Sequence, residues 1–318
     1  MSLAFVVMSG HLIHIKGAEK GFLQNSHLSD ILSSGGFAVN VFFGLSGIAL
    51  RYQTDKYGIN GNWFISRLIR LMPVYWITLI PPIAICFFIG IETEYQDYAY
   101  LLSIFGLQAI SSEISHPPVN GPLWSLSVEI FLSASLLMFG RNRRMLKRYF
   151  LLSFVLGALL FSDNLIITAL PIFYTGFLLP DCKFINSKNK MFRLVVICLP
   201  VFVMILVPQF LQGKFTGVFN FIFCYTISVS ILISCMIFQK NTANKISNFS
   251  QRSYSLYAVH VPVIIFVDQF FFSSRTYFSA LQFAISVSFI LAFTEVIYRI
   301  FETPSISFSR KRLNKVDL

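Results

Sequence analysis

The residue most suited to chemistry is His11, an imidazole inside the first apolar stretch of the chain. An ionisable side chain at membrane depth is costly unless it has a partner or a function. A histidine can act as a general base near neutral pH, so His11 is a candidate catalytic residue. His14 follows three residues later on nearly the same helix face, and one of the two is enough for that role. The spacing alone fits a histidine that bonds a neighbouring helix equally well.

A carboxylate and a second imidazole also lie in apolar stretches. Glu129 ends a Trp-Ser-Leu-Ser-Val-Glu segment that we predict to be helical, with Glu129 one or two turns from the outer surface. A buried carboxylate has to be paired, protonated or functional. His260 lies in a later Tyr-Ser-Leu-Tyr-Ala-Val-His-Val-Pro segment. Glu295 and Arg299, four residues apart, are predicted to form a local ion pair.

Arg67 and Arg70 stand three residues apart on a helix predicted to enter the membrane from the cytoplasm, so both point the same way. Two planar guanidinium groups on one face suit the phosphates of a ligand. The alternative is a topology anchor that is followed by a belt of aromatic residues.

The run Phe-Phe-Gly-Leu-Ser-Gly, from Phe42 to Gly47, carries two glycines three residues apart. Small residues at this spacing let helices approach closely, and close packing is the favoured interpretation. The run leads directly to a third candidate cation, Arg51.

The composition is that of an integral membrane protein. The chain has 318 residues, of which 55% are hydrophobic and 12% charged, where soluble domains carry roughly 25% charged residues. A spanning helix needs about 20 mostly apolar residues, and tilt or local thinning of the bilayer accommodates shorter runs. We therefore predict an all-α, polytopic protein of about ten transmembrane helices that forms a single domain over residues 1–318. The apolar runs are Ser2–Ile15, Phe37–Leu50, Pro73–Ile89, Pro122–Phe139, Tyr149–Phe161, Leu165–Leu179, Leu194–Leu211, Val218–Phe238, Leu256–Phe271 and Phe278–Phe301.

The positive charges predict the sidedness of these runs. Most of the 25 Lys and Arg residues lie in clusters on one alternating set of loops, which places both termini in the cytoplasm. A nucleic-acid-binding protein would instead carry a continuous basic face. The short apolar segment Tyr98–Ile110 would destroy this asymmetry if it spanned the membrane, so we interpret it as interfacial or re-entrant. No cleavable signal is evident, so we expect the first helix to remain as an anchor. The Cys and His spacings predict no metal site.

Taken in order, these motifs resemble the acyltransferase-3 family of bacterial membrane O-acyltransferases, over almost the whole chain. The family pattern has a His in the first helix, Phe-Phe-x-Leu-Ser-Gly, Arg-x-x-Arg before Pro and Tyr, Trp-Ser-Leu-Ser-x-Glu, Tyr-Ser-x-Tyr-x-x-His-x-Pro, and a final Glu-x-Pro. The matching positions are His11, Phe42 to Gly47, Arg67 to Tyr75, Trp124 to Glu129, Tyr254 to Pro262, and Glu302 to Pro304.

Two positions depart from the family pattern. The family usually carries an Arg eleven residues before its catalytic His, and here that position falls before Met1. Either the start of the protein lies upstream, or the site lacks this Arg. The family often has a second acidic residue after Trp-Ser-Leu-Ser-x-Glu, where this chain has Ile130.

The resemblance implies transfer of an acyl group, first of all acetyl from acetyl-CoA, to a sugar hydroxyl of a surface polysaccharide or lipid-linked glycan. Acyl-CoA would be a donor substrate and not a permanently bound cofactor, and the protein would lie in the bacterial cytoplasmic membrane. His11 would remove the hydroxyl proton or briefly carry the acyl group, and Glu129 would orient it or shape the acceptor site. The remaining implied residues are Arg51, Arg67 and Arg70 for the CoA phosphates and Trp124, Ser127, Tyr257 and His260 for the acceptor.

Two other membrane functions compete with this prediction. A glycan flippase or transporter also has many spans and few buried charges, but we find no corresponding pair of broken segments in two halves of the chain. A glycan polymerase would lack the combination of Arg-x-x-Arg with Trp-Ser-Leu-Ser-Val-Glu.

Overall fold

The computed structural model describes residues 2–15, 35–89, 97–110, 117, 119–160, 165–182, 217–238, 251–272 and 280–314. Helices make up nearly all of this part, and no strand occurs in it. The all-α prediction is therefore confirmed. The described helices are α1 (Ser2–Ile15), α2 (Gly35–Tyr57), α3 (Gly61–Ile89), α4 (Asp97–Ile104), α5 (Trp124–Phe139), α6 (Arg143–Leu160), α7 (Leu165–Leu178), α8 (Gly217–Phe238), α9 (Ser253–Phe271), α10 (Ala280–Ile297) and α11 (Thr303–Asn314).

Every predicted apolar run that falls in the described part is helical, and Leu194–Leu211 lies outside it. Within this part, four helical stretches are long and apolar enough to cross a membrane. These stretches support the membrane assignment, while the count of ten spans and the cytoplasmic termini stay predictions. The four are Gly61–Phe88, Gly121–Phe139, Ser253–Phe271 and Leu281–Asn314.

The chain divides into two compact units. The first comprises Met1–Val39, Phe64–Ile130 and Ser247–Leu318, and the second comprises Asn40–Trp63 and Phe131–Ile246. All predicted site residues except Arg51 belong to the first unit. The prediction of a single functional domain stays a prediction.

Helix α9 is the centre of the first unit. Helices α1 and α10 and a 3-10 turn, Gly121–Leu123, pack against it. Between membrane helices, close van der Waals packing and interhelical hydrogen bonds stabilise such a core, because lipid tails are as apolar as the side chains themselves. The core cluster consists of Leu71, Val74, Tyr75, Leu79, Leu123, Leu126 and Ala258.

Hydrogen bonds fix the directions of three helices in the first unit. Tyr254 and Ala258 of α9 lie beside Leu71 and Thr78 of α3, so α3 and α9 run parallel. Helix α5 runs antiparallel to α3, since Asn120 bonds near Thr78 and Glu129 bonds further back, at Arg67. These directions agree with the sidedness predicted from the basic loops.

The segment between α3 and α5 returns to the middle of α3. Tyr75 donates to the Ser103 carbonyl, and Trp76 Nε1 donates to the Ile104 carbonyl at 2.9 Å. Tyr75 is the middle residue of α3. Helix α4 has eight residues, about 12 Å, which is too short to cross a bilayer. Gly106 (φ +67°) makes the turn after it, so of the two predicted interpretations the contacts favour a re-entrant segment.

In the second unit, α6, α7 and α8 pack together, and α2 approaches α7 backbone to backbone. A Cβ at Gly47 would lie 2.2 Å from the Phe173 carbonyl oxygen, and one at Gly176 would lie 2.0 Å from the Gly44 carbonyl oxygen. The close-packing interpretation of the two glycines is confirmed.

Replacing Gly176 with alanine should lower the free energy of unfolding by about 1–3 kcal/mol, because the new methyl group has no room against backbone atoms. The matched control is Gly61→Ala, since a Cβ there meets nothing within 4 Å. Thermal unfolding of the purified variants measures the difference. Equal melting temperatures for the two variants would contradict the tight contact.

Candidate functional site

Two histidines that are 249 residues apart in the sequence meet in the first unit. The ring centres of His11 and His260 are 5.2 Å apart, with an angle of 42° between the ring planes. His260 is completely buried and His11 is half-buried. The side chain of His14 lies outside the described residues. The packing of α1 on α9 therefore unites two residues that the sequence predicted separately.

His260 is held by its own helix. Its Nδ1 atom lies 2.6 Å from the Tyr257 carbonyl oxygen, and its Nε2 atom has no hydrogen-bond partner in the described part of the chain. The Tyr257 hydroxyl donates to the Pro122 carbonyl at 2.7 Å and accepts from Ser125 at 2.9 Å. The predicted acceptor residue Tyr257 thus also ties α9 to the start of α5.

Asn120, which no sequence motif indicated, satisfies two carbonyls that prolines leave free. Its Nδ2 atom donates to the Thr78 and Ala258 carbonyls, both at 3.0 Å. In a helix these carbonyls would accept from residues 82 and 262, which are Pro82 and Pro262 and have no N–H. A freed carbonyl in apolar surroundings needs another donor. The two prolines, four residues after each carbonyl, are the signal that could have pointed to such a donor.

Asn120→Asp should lower the free energy of unfolding by about 2–4 kcal/mol, because a carboxylate has the same shape but cannot donate to the two carbonyls. Asn142→Asp is the matched control. Asn142 accepts from the Arg144 and Met145 N–H groups at a helix start, which a carboxylate does equally well. The melting temperatures of the two variants in one detergent measure the difference. A native melting temperature for Asn120→Asp would show that these bonds are dispensable.

The predicted cation Arg67 and the predicted catalytic carboxylate Glu129 form one ion pair. Arg67 donates to Glu129, and their side chains are 7% and 21% exposed. Such a pair leaves neither charge uncompensated in the apolar interior. The described contact of Glu129 is therefore with a cation, whereas the family resemblance implies that Glu129 orients His11 or shapes the acceptor site. Its catalytic role stays a prediction.

The ion pair also changes the expected depth of Glu129. Arg67 lies about 9 Å along α3 from Gly61 and about 33 Å from Ile89, at about 1.5 Å per residue. Glu129 therefore lies near the Gly61 end of α3, the end predicted to be cytoplasmic, and far from Ile89 at the predicted outer end. The reason is that α5 starts beside the middle of α3, after the re-entrant segment.

The two other predicted phosphate-binding cations have different surroundings. Arg70 is exposed, and no ion pair is described for it among the residues that the structure covers. Arg51, in the second unit, bridges Asp55 and Asp181 at 3.1 Å each, and Asp181 also binds Arg143. Of the three predicted cations, Arg70 is the one that is exposed and for which the described residues give no ion pair.

Ser127 and Trp124 were both predicted to contact the acceptor. Ser127 donates to the Gly106 carbonyl at 2.7 Å and accepts from the Ala109 N–H at 3.1 Å, so its hydroxyl fastens the re-entrant turn. Trp124 begins α5 and is half-buried. An acceptor role for either residue stays a prediction.

The final Glu-x-Pro motif caps the helix that carries His260. Glu302 is completely buried and accepts from the Ser255 N–H at 3.2 Å and from the Ser255 hydroxyl. A carboxylate at a helix N-terminus satisfies free N–H groups and the helix dipole. The π turn Tyr298–Glu302 precedes Pro304, which cannot donate to a preceding carbonyl. The motif is visible in the sequence, but its contact with Ser255 could not be predicted from it.

A partly exposed ion-pair cluster lies near this cap. Arg299 Nε is 2.5 Å from Glu295, which confirms the predicted local pair. Arg252, just before α9, joins the same carboxylate at 2.5 Å and 3.2 Å. Its hydrogen bond to Glu295 raises the pKa of the Arg252 guanidinium.

A family model described as an acyltransferase domain matches residues 2–299, a stretch that includes every predicted site residue. No curated protein and no solved structure matches the chain.

Proposed function

The chain belongs to the acyltransferase-3 family, and from this membership we propose that it transfers an acyl group from acyl-CoA to a sugar hydroxyl. It is an acyltransferase with long apolar helices, and so a membrane acyltransferase. The proposed donor is acetyl-CoA, and the proposed acceptor is a surface polysaccharide or a lipid-linked glycan. The proposed location is a bacterial cytoplasmic membrane, with about ten spans and both termini in the cytoplasm. Family membership favours acyl transfer over the transporter alternative.

The His11–His260 pair is the observation that carries this proposal. His11 is partly accessible, while His260 beside it is buried. In the proposed reaction a His11 ring nitrogen takes the proton of the acceptor hydroxyl, and the oxygen attacks the thioester carbonyl carbon. The carbon–sulfur bond breaks, the ester bond forms, and the proton passes from His11 to the CoA sulfur. In the alternative that the sequence leaves open, His11 carries the acyl group between the two substrates.

The distance between Arg70 and the level of the histidine pair, measured along α3, fits a donor that enters from the Gly61 end. Thr78 shares the level of Ala258, two residues before His260, and lies about 12 Å along α3 from Arg70. An extended phosphopantetheine arm is long enough to bridge this distance. Phosphates at Arg70 would therefore leave the thioester within reach of His11. Apolar walls would exclude water and suppress thioester hydrolysis.

Arg70→Ala should raise KM for acetyl-CoA about tenfold, because it removes a charge-assisted contact with phosphate. Arg70→Lys should recover only part of this loss, since a point charge lacks the planar fork. Steady-state kinetics with purified protein measure both variants.

The matched control for the donor site is Arg144→Ala, which removes another exposed arginine from a predicted cytoplasmic loop. Its KM for acetyl-CoA should stay at the value of the unmodified protein. An unchanged KM in Arg70→Ala as well would leave Arg70 as a topology anchor only.

The proposed activity is tested by mass spectrometry of the surface polysaccharide from cells with and without the gene. Loss of one acetyl mass per repeat unit on deletion, restored by the unmodified gene and not by His11→Ala, is the expected result. An unchanged repeat unit in lower amount would support transport or assembly of the glycan instead.

A further inference from the structure

We propose that His260 is a positioning residue for His11. The lone pair on Nε2 of His260 accepts a hydrogen bond from the His11 ring when His11 takes up the proton of the acceptor hydroxyl. This inference rests on the proposed function for its catalytic meaning. Its structural half, the protonation state of the two His260 nitrogens, stands independently of that function.

The tautomer of His260 follows from its contact with the backbone. A carbonyl oxygen can only accept, so the Nδ1 atom, 2.6 Å from the Tyr257 carbonyl oxygen, carries the hydrogen. A neutral imidazole has one N–H, and a charged ring is costly in a fully buried, apolar position. Nε2 is therefore an acceptor, and the structure shows no donor to it among the described residues.

The distance between the rings suits a single hydrogen bond. A bond of about 3 Å between two ring nitrogens that face each other, each about 1.1 Å from its ring centre, separates the centres by about 5.2 Å. The observed separation is 5.2 Å. The His260 Nε2 atom has no partner within the described part of the chain in this conformation, so the proposed bond requires the His11 ring to turn about its χ2 torsion, which has broad wells.

The chemical consequence is selective stabilisation of the charged form of His11. After His11 has taken the proton from the hydroxyl, both of its ring nitrogens carry hydrogen. One faces the reacting oxygen, and the other donates to Nε2 of His260, which itself gains no proton. A contact that strengthens as charge develops lowers the barrier without tightening substrate binding, so the effect should appear in kcat and not in KM.

Two substitutions distinguish the roles of the two His260 nitrogens. His260→Asn keeps a donor near the position of Nδ1 but has no acceptor at Nε2, and His260→Gln can place its amide oxygen near Nε2. We expect the Asn variant to lose about 10- to 100-fold in kcat, the range for a charge-assisted hydrogen bond, with both KM values unchanged. The Gln variant should keep most of kcat. A normal kcat in the Asn variant, or an equal loss in two folded variants, would overturn the proposal.

Nitrogen-15 NMR of the full-length protein, labelled at histidine, tests the structural half without any assay of activity. The signals of His260 are identified as those missing from the Asn variant. The expected result is a protonated Nδ1 and an unprotonated Nε2, and a protonated Nε2 would overturn the proposal. If the unmodified protein transfers no acyl group from any acyl-CoA, the proposed function fails, while this measurement still decides the tautomer.

Discussion

Replacing His11 with alanine is expected to lower the rate of acyl transfer by about 10²–10⁴-fold, the usual contribution of a general base. His11 is the imidazole that the family pattern places in the first helix, and in the structure it lies against a second, buried imidazole. If His11 carries the acyl group instead, the loss should be at least as large. The measurement is the initial rate of CoA release with purified protein, corrected for the amount of folded enzyme.

The matched control for His11 is His14→Ala, three residues further along α1. It should retain most of the activity if His14 is only a neighbour on the helix. A histidine with a structural role would lower protein abundance and leave the specific activity of the remaining protein intact. A normal specific activity in His11→Ala would exclude the proposed mechanism and move the search for the base to His260.

Breaking the Arg67–Glu129 ion pair on one side should destabilise the protein strongly. Removal of one partner from a fully buried pair costs about 3–5 kcal/mol, because the other charge remains uncompensated. Glu129 is 21% exposed, so the Arg67→Met variant should fall at the lower end of this range. The double variant, which carries both Arg67→Met and Glu129→Met, should recover much of the lost stability, since no unpaired charge is left.

A double-mutant cycle of melting temperatures and folded yields measures the coupling between the two side chains. The double variant also separates folding from catalysis. If it folds and still transfers no acyl group, the pair has a role in the reaction beyond compensating charge. If each single variant keeps the native melting temperature, the pair is not an important structural contact.

The helices and the membrane class could be predicted because they depend on local patterns. An apolar run long enough to cross a bilayer has to satisfy its own backbone hydrogen bonds, and a helix does so within one segment. Two predicted runs end at the residue where the helix ends, Ile89 and Phe271. The runs are too short where polar residues extend a helix. Helix α3, for example, begins at Gly61 and includes Arg67 and Arg70, twelve residues before the predicted start at Pro73. The prediction misses this part because hydropathy does not mark the end of a helix outside its apolar stretch.

The depth of Glu129 could not be predicted, because it depends on the path of the chain before α5. The sequence places Glu129 a turn or two inside one membrane surface if its helix starts at that surface. The re-entrant segment instead delivers the start of α5 to the middle of α3, where Asn120 finds the two free carbonyls. A carboxylate predicted near the outer side thereby reaches Arg67.

The sequence by itself determined the kinds of residue in the site and their order along the chain, which was enough to predict the acyltransferase-3 family. The tertiary structure decided which of them meet. His11 faces His260, Arg67 binds Glu129, and Ser255 binds Glu302. The physical reason is that hydropathy and spacing act within one helix, whereas each of these pairs joins two helices. Their contact depends on how the apolar surfaces pack and on where buried polar groups find partners.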